Sequence, residues 1–150
     1  MKEIRTIIEH YERWRQTETV FAMATVVNTE DSSYRRVGAR MLVAPDGRWV
    51  GGISGGCLEG DALSRAQRVI RSGGAEVKTY DTRDEEDREV GIGLGCEGRI
   101  DVLFSAVNVE DARNPVELLK SVVDTRALQP LYTIIQGPIK EWVGTTFIDW

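Results

Sequence analysis

The stretch at residues 49–74, WVGGISGGCLEGDALSRAQRVIRSGG, decides the fold, because a strand, a glycine-rich loop and a helix follow one another in it. Its first five residues, 49–53, have the apolar and aromatic character of a strand. Apolar side chains then recur at helical spacing from Leu58 to Ile70, and Gly73-Gly74 is a typical helix stop signal. This order predicts that the loop joins the end of a strand to the start of a helix.

Regular patterns predict the remaining elements on both sides of this stretch. Residues 19–29 are almost continuously apolar or β-branched, which indicates a strand that is buried on both faces. The other predicted elements are helices at 4–14 and 115–123, the latter capped by Asn114, and strands at 39–44, 76–80, 99–104, 131–135 and 142–148. The alternation of strands and helices predicts an α/β fold, in which helices flank a mixed β-sheet in a single domain.

Length, composition and charge narrow the class of protein. The 150 residues are 41% hydrophobic and 29% charged, which is typical of one folded domain. The formal net charge of -5 disfavours a nucleic-acid binder, which usually carries a basic surface. No apolar run is long enough to span a bilayer, so we expect no membrane association and a cytoplasmic location with reduced thiols. One histidine and two cysteines exclude a four-ligand Cys/His zinc site within one chain.

Glycine clusters surround both cysteines of the chain. Cys57 lies in the glycine-rich loop at 51–60, and Cys96 lies in a second one at 91–98. Such loops mark tight turns or places where a ligand approaches the backbone. At the start of a helix, free amides and the helix dipole favour an anion and a thiolate, so Cys57 is a candidate functional thiol in a first helical turn. An equally good interpretation is a small buried residue that fills a tight joint.

The second glycine loop does not mark a dinucleotide site. Residues 93–98 match the pattern G-x-G-x-x-G, but a charged run at 81–89 precedes them and the predicted strand at 99–104 follows them. A Rossmann dinucleotide fingerprint needs a strand before it and a helix after it, so none is predicted here. The charged run itself is typical of a solvated loop.

A third segment, residues 30–40, offers hydroxyl groups and three arginines. Because the guanidinium fork suits phosphate and carboxylate groups, Arg35, Arg36 and Arg40 are candidate ligands for a small anion. The alternative is ordinary surface charge, paired with the acidic run of the chain.

Three motifs in this order resemble the XdhC/CoxI family, the xanthine dehydrogenase accessory proteins. They are SSYRRVGARM at 32–41, GGISGGCLEG at 51–60 and GLGCEGRIDVL at 93–103, and the resemblance covers roughly residues 18–105. It implies a maturation chaperone for molybdenum hydroxylases rather than an enzyme. Full-length members usually add a C-terminal Rossmann-like domain, for which this chain leaves no room, so we expect the N-terminal domain alone at 1–150.

The resemblance also implies a cofactor and partners. The expected cofactor is a transiently bound molybdopterin-type molybdenum cofactor, whose sulfuration and insertion into an enzyme of the xanthine or carbon monoxide dehydrogenase type the chaperone assists. The expected partners are that apo molybdenum hydroxylase, a cysteine desulfurase and a second copy of the chain. A homodimer is expected also because residues 142–150 are apolar enough to be covered by a partner.

The candidate site combines the loops with the resemblance. Cys57 is the candidate for sulfur relay or molybdenum contact, and it ranks before Cys96 because Glu97 stands where the family commonly has glycine. The two cysteines are expected to lie near one another on one face of the sheet. The candidate cofactor-binding residues are Ser33, Arg35, Arg36, Arg40, Ser54, Gly55, Gly56, Cys57, Glu59, Gly95, Cys96 and Arg99.

Two other functions fit the same residues. A thiol or redox protein would use Cys57 and Cys96 as a pair, which requires their sulfur atoms to come within disulfide distance. A non-catalytic interaction module would use the glycine loops at a subunit interface. Bound molybdenum and the separation of the two cysteines distinguish these alternatives from a cofactor chaperone.

Overall fold

The elements follow one another in the chain as the sequence patterns predict. The computed structural model describes residues 2–30, 36–81, 98–123 and 129–148. The helices within these ranges are α1 (Lys2–Trp14), α2 (Glu59–Ser72) and α3 (Pro115–Val123), with a short 3₁₀ helix at Lys140–Trp142. The strands are β1 (Val20–Glu30), β2 (Arg40–Val43), β3 (Trp49–Gly51), β4 (Ala75–Asp81), β5 (Arg99–Asn108), β6 (Tyr132–Thr133) and β7 (Thr146–Phe147). None of the helices in the described ranges has the length and apolar character needed to cross a membrane.

Among the strands of the described ranges, five form one sheet in the order β3-β2-β1-β5-β4, and β6 pairs separately with β7. Every pairing is antiparallel, which corrects the mixed sheet that the strand and helix alternation predicted, while the α/β class with flanking helices is confirmed. The reason is the path of α2. This helix joins β3 to β4 at opposite edges of the sheet, so the two strands that a crossover leaves parallel are not neighbours.

The central strand β1 is buried on both faces, as its continuous apolar sequence predicts. Ala22, Ala24 and Val26 point into a core cluster that α2 covers. Phe21 and Met23 point into a second cluster, which α1 and α3 cover. Because alternate residues of a strand point to opposite sides, the sheet has an α2 face and an α1 face, and each side chain can be assigned to one of them.

Asn114 caps α3, as predicted. Its Oδ1 atom accepts hydrogen bonds from the amides of Val116 and Glu117 at 2.9 and 3.0 Å. Its Nδ2 atom donates to the hydroxyl of Tyr11 at 3.1 Å and to the carbonyl of Asn108 at 2.9 Å. One side chain thus fixes the start of α3 against α1 and the end of β5.

The C-terminal strand pair is shorter than predicted, since β6 and β7 pair through only two residues each. Trp142, predicted to begin a strand, lies in the 3₁₀ helix, and Gly144 follows with a φ of +91°. A larger residue does not fit at Gly144, because a Cβ atom there would lie 2.6 Å from the Cβ atom of Ala75 on β4. This close approach packs the C-terminal segment onto the α1 face of the sheet.

Candidate functional site

The glycine-rich loop ends at the start of α2, where the sequence predicts it. The helix begins at Glu59, with Leu58 as its N-cap residue and without a side-chain hydrogen bond from that cap. Cys57 therefore lies two residues ahead of the helix, which corrects the expectation that it lies within the first turn. The capping of the helix and the shape of the loop have to come from another group.

The carboxylate of Glu59 is the group that holds the loop. Its Oε1 atom accepts hydrogen bonds from the amides of Ile53 and Ser54, both at 3.0 Å. Its Oε2 atom accepts one from the Ser54 hydroxyl at 2.6 Å and one from the Gly56 amide at 2.9 Å. The Ser54 Oγ atom in turn accepts a hydrogen bond from the Leu58 amide at 2.8 Å. Loop amides that were expected to face an external anion are thus bound to an internal carboxylate.

Burial and hydrogen bonding act on this carboxylate in opposite directions. Glu59 is only 5% exposed, and burial by itself raises the pKa of its carboxyl group. Hydrogen bonds from the Ser54 hydroxyl and from the amides of Ile53 and Ser54 outweigh burial, so that the pKa of Glu59 is lowered below its ordinary value. Glu59 is therefore ionised at neutral pH, and the loop contains a negative charge of its own.

Acid is expected to weaken the loop. A carboxyl group whose pKa is lowered by folding contributes stability above its unfolded-state pKa, and the contribution disappears as the pH falls through the folded-state pKa. We therefore expect the free energy of unfolding to decrease as the pH falls below 4.5, the ordinary pKa of Glu59, and Glu59→Gln to show a flatter profile. Urea unfolding of both proteins between about pH 3 and pH 7 measures this difference, and parallel profiles would contradict it.

The outer side of the loop is open. Gly55 and Gly56 are exposed and have φ angles of +79° and +123°, a backbone conformation that favours glycine. Apart from the adjoining residues, no atom lies within 4 Å of a Cβ atom built on either of them or on Gly60. In the described part of the chain, the amides of Gly55 and Gly60 have no hydrogen-bond partner. These two amides, rather than those that Glu59 binds, are available to a ligand.

Cys57 lies buried below this open surface. It is 8% exposed and belongs to the core cluster on the α2 face, together with Ile53 and Leu58. It is disulfide-bonded, which corrects the expectation of a reduced thiol. The other cysteine of the chain, Cys96, lies outside the described residues. Because the thiolate is the reactive form of cysteine, a sulfur relay or a molybdenum contact by Cys57 first requires reduction of this disulfide.

The side chain of Arg40 lies on the other face of the sheet from Cys57. Arg40 precedes Met41 in β2, and Met41 belongs to the same core cluster as Cys57, so Arg40 points to the α1 face. Its Nη1 atom donates to the Gly38 carbonyl at 2.8 Å. Burial lowers the pKa of Arg40, and the nearby charge of Glu3 on α1 opposes that effect. The guanidinium is therefore part of the packing between α1 and the sheet.

Among the described residues, neither Arg36 nor Arg99 has a hydrogen bond or ion pair to the loop. Arg99 alternates with Ile100 of the α2-face core and so lies on the α1 face, where it pairs with Glu30 at 3.2 Å and with Asp101 at 3.6 Å. Arg36 is exposed in the turn before β2. The remaining predicted site residues lie outside the described residues; they are Ser33, Arg35, Gly95 and Cys96.

A polar network at the first turn of α2 was not predicted from the sequence. Asp61 accepts hydrogen bonds from the Tyr80 hydroxyl and from Arg65 Nε, the latter at 2.8 Å. Tyr80 is 1% exposed, and burial, followed by the hydrogen bond to Asp61 and the charge of Asp61, raises the pKa of Tyr80. The Lys78 ammonium group lies 5.6 Å from the centroid of the Tyr80 ring. Asp61 directly follows the glycine loop, but its partner Tyr80 is 19 residues away in the chain, so sequence spacing gave little signal.

A cavity of about 1020 Å³ lies at the opposite end of the sheet from the glycine loop. It is lined by the end of α2, the start of α3 and the segment around Gly144, and the exposed cations Arg71, Arg113 and Lys140 stand around it. In the part of the chain that the structure describes, no residue of the loop at 51–60 lines this cavity. We place the candidate site at the loop, because among the described residues exposed amides and a cysteine coincide only there.

The fold and the site together define a class of protein. It is a small α/β module, in which one antiparallel sheet and the following helix present a glycine-rich loop with a buried cysteine and an open outer surface. The sequence model of the XdhC and CoxI family matches residues 14–81. The match includes the loop and Cys57, and it confirms the resemblance of the motifs to that family.

The chain is similar in sequence to proteins named for xanthine dehydrogenase and for the insertion of the molybdenum cofactor. It is 38% identical over 92 residues to a probable xanthine dehydrogenase subunit from Bacillus subtilis strain 168, across 61% of this chain and 28% of that protein. It is 34% identical over 73 residues to the molybdenum cofactor insertion chaperone PaoD of Escherichia coli strain K12, across 49% and 19%. The crystal structure of a xanthine dehydrogenase from Bacillus halodurans matches with a TM-score of 0.61 and 40% identity, across 78% of this chain and 34% of that one. The chain thus spans about a third or less of each of these proteins.

Proposed function

We propose that the chain acts in the maturation of a molybdenum hydroxylase, by binding the molybdenum cofactor and assisting its insertion into the apo enzyme. The observation that carries this proposal is the loop at 51–60, whose exposed glycines and buried cysteine lie within the XdhC and CoxI match. A similar protein, PaoD, is a molybdenum cofactor insertion chaperone, and this supports the same role here.

The open side of the loop suits part of the cofactor. A molybdopterin has a phosphate group and a flat pterin ring, and the amides of Gly55 and Gly60 are donors of the kind that bind phosphate. Apart from the adjoining residues, no atom lies within 4 Å of a Cβ atom built on Gly55, Gly56 or Gly60, which leaves the backbone there open to the approach of a flat ring. Ser54 and Glu59 act in this proposal as positioning residues, because their polar atoms hold the loop from its inner side. The bound cofactor supplies the molybdenum centre that the client enzyme uses.

The proposed function also assigns a role in sulfur chemistry to Cys57 and implies partner proteins and a cellular location. Once its disulfide is reduced, Cys57 provides a soft thiolate for contact with molybdenum or for relay of sulfur. A cysteine desulfurase is the proposed sulfur donor, and an apo enzyme of the xanthine or carbon monoxide dehydrogenase type is the proposed client. We also propose that the chain works in the cytoplasm and as a homodimer.

Replacing Cys57 with serine is expected to weaken cofactor binding by roughly tenfold or more, equivalent to about 1.4 kcal/mol, because a hydroxyl is a poor ligand for a soft metal. Titration of the reduced protein with isolated molybdenum cofactor measures the affinity. Cys96→Ser is the matched control, since either substitution removes one of the two thiols, and we expect it to have the smaller effect. Unchanged affinity of folded Cys57→Ser under reducing conditions would contradict the role proposed for Cys57.

A second candidate function, a thiol or redox protein, is favoured by one observation, the disulfide at Cys57. In that case the disulfide would exchange rapidly with a dithiol reductant, and cofactor binding would be absent in both redox states. Redox titration of the thiols, run beside the cofactor titration, separates the two functions. Binding by the reduced form supports the cofactor chaperone.

A further inference from the structure

Strand β4 forms one edge of the five-stranded sheet. In the described part of the chain it pairs only with β5. Its sequence, AEVKTYD, contains no proline, and its pairing with β5 runs without a bulge. Val77, near its middle, is 41% exposed. An edge strand of seven residues with an exposed apolar side chain is a ready acceptor for another strand.

The hydrogen bonds to β5 determine which backbone groups of β4 point outward. The Ala106 amide donates to the Gly74 carbonyl at 3.0 Å, and such bonding alternates along an antiparallel pair. Glu76 lies opposite Phe104, two residues further along each strand from the bonded pair of Gly74 and Ala106. The backbone groups of Glu76, and of every second residue after it, therefore also form their hydrogen bonds with β5. The backbone groups of the intervening residues point away from the sheet; they belong to Ala75, Val77 and Thr79.

We propose that this edge binds the same edge of a second copy of the chain, in an antiparallel pairing centred on Val77. The two-fold axis then passes between the two Val77 residues, and Ala75 of each copy faces Thr79 of the other. All of these are residues with outward-pointing amides and carbonyls, so each of these opposed pairs can exchange two hydrogen bonds. The pairing joins two five-stranded sheets into one and gives both copies the same contacts.

Charge complementarity supports this register. With Val77 at the centre, Glu76 of each copy faces Lys78 of the other, which gives two pairs of opposite charge. Moving the two-fold axis to Lys78 would keep the outward backbone groups in phase, with Val77 facing Thr79, but it would place the two lysines directly opposite each other, which is unfavourable. Glu76 pairs with Arg68 at 2.8 Å and with Arg65 at 3.8 Å within its own copy, but its side chain stays 33% exposed and accessible to a further cation.

The sharpest test uses proline, because Val77→Pro removes an amide that points outward and leaves the bonds to β5 in place. The substitution removes both central hydrogen bonds of the dimer, so we expect dimer affinity to fall by about tenfold or more. Val77→Thr keeps the amide and the strand propensity and is the matched control, with an affinity near that of the original chain. Sedimentation equilibrium measures the mass against the 16.8 kDa of one chain.

Charge reversal provides a second, independent test. Lys78→Glu places glutamates opposite each other across the axis and is expected to weaken the dimer, and Glu76→Lys is expected to weaken it in the same way. The double variant Glu76→Lys with Lys78→Glu restores opposite charges and is expected to recover the dimer. Thermal unfolding of each variant identifies any loss of fold, so that a change in mass is interpreted only for folded protein.

Hydrogen exchange reports on the same surface at single-residue level. The amides of Val77 and Thr79 are expected to exchange fast at low protein concentration and slowly at high concentration, while the Lys78 amide, bonded to β5, is slow at both. A chain that stays monomeric at high concentration would overturn the proposal. So would a dimer that Val77→Pro leaves intact, above all one that Trp142→Ser dissociates, since Trp142 is 58% exposed on the C-terminal segment. None of these measurements requires the molybdenum cofactor.

Discussion

Glu59→Ala is expected to lower the free energy of unfolding by roughly 3–5 kcal/mol, because it leaves buried loop donors without an acceptor. The carboxylate accepts four hydrogen bonds, and the donors in Ile53 and Ser54 are buried. Glu59→Gln retains one acceptor oxygen but turns an NH₂ group toward the same donors, so we expect an intermediate loss. Urea denaturation measures all of these free energies.

The matched control for Glu59 is Glu76→Ala. Glu76 also accepts hydrogen bonds and ion pairs from arginine, but its side chain is 33% exposed. Partly exposed ion pairs typically contribute less than about 1 kcal/mol, so we expect a small effect. If Glu59→Ala and Glu76→Ala destabilise the protein equally, the Glu59 carboxylate does not hold the loop, and the explanation of its lowered pKa fails with it.

Gly51→Ala is expected to prevent folding or to cost more than about 3 kcal/mol, because the new methyl group has no space. A Cβ atom at Gly51 would lie 2.3 Å from the carbonyl oxygen of Arg40, a backbone atom of the neighbouring strand that cannot move aside. The φ angle of Gly51 is +83°, which adds the strain of a left-handed conformation.

Gly55→Ala separates these two causes. Gly55 has nearly the same φ angle, +79°, but no atom lies within 4 Å of its Cβ position. We therefore expect a loss of only about 1 kcal/mol, the cost of the backbone conformation alone. Thermal and urea unfolding of the two variants gives the difference, and equal losses would mean that the contact with Arg40 is not what requires glycine at position 51.

Local patterns in the sequence were sufficient to predict the elements that surround the site. The apolar spacing from Leu58 to Ile70 and the stop at Gly73-Gly74 correctly predict α2, which ends at Ser72. The prediction of the sheet type failed because alternation of strands and helices does not say which strands are neighbours. In this chain α2 crosses from one edge of the sheet to the other, and no local pattern encodes that path.

The hydrogen bonds between Glu59 and the loop could not be predicted from the sequence, because they depend on the path of the loop backbone. The loop reverses through Gly55 and Gly56 at positive φ, and this path brings the amides of Ile53 and Ser54 to the carboxylate of Glu59. A loop of the same composition along another path would leave those amides free for an anion. The position of Arg40 on the face of the sheet opposite Cys57 was predictable, in contrast, because side chains alternate along β2 and place Arg40 and Met41 on different faces.

The most direct test of the central claim is the transfer of cofactor to a client enzyme. Apo xanthine dehydrogenase is incubated under reducing conditions with isolated molybdenum cofactor, either alone, with this chain, or with its Cys57→Ser variant, and the recovered enzyme activity is measured. The proposed function predicts that the chain raises the recovered activity above that obtained with free cofactor, and that Cys57→Ser raises it less. Equal recovery with and without the chain, under conditions where the chain is folded and reduced, would contradict the proposal that it is a molybdenum cofactor insertion factor.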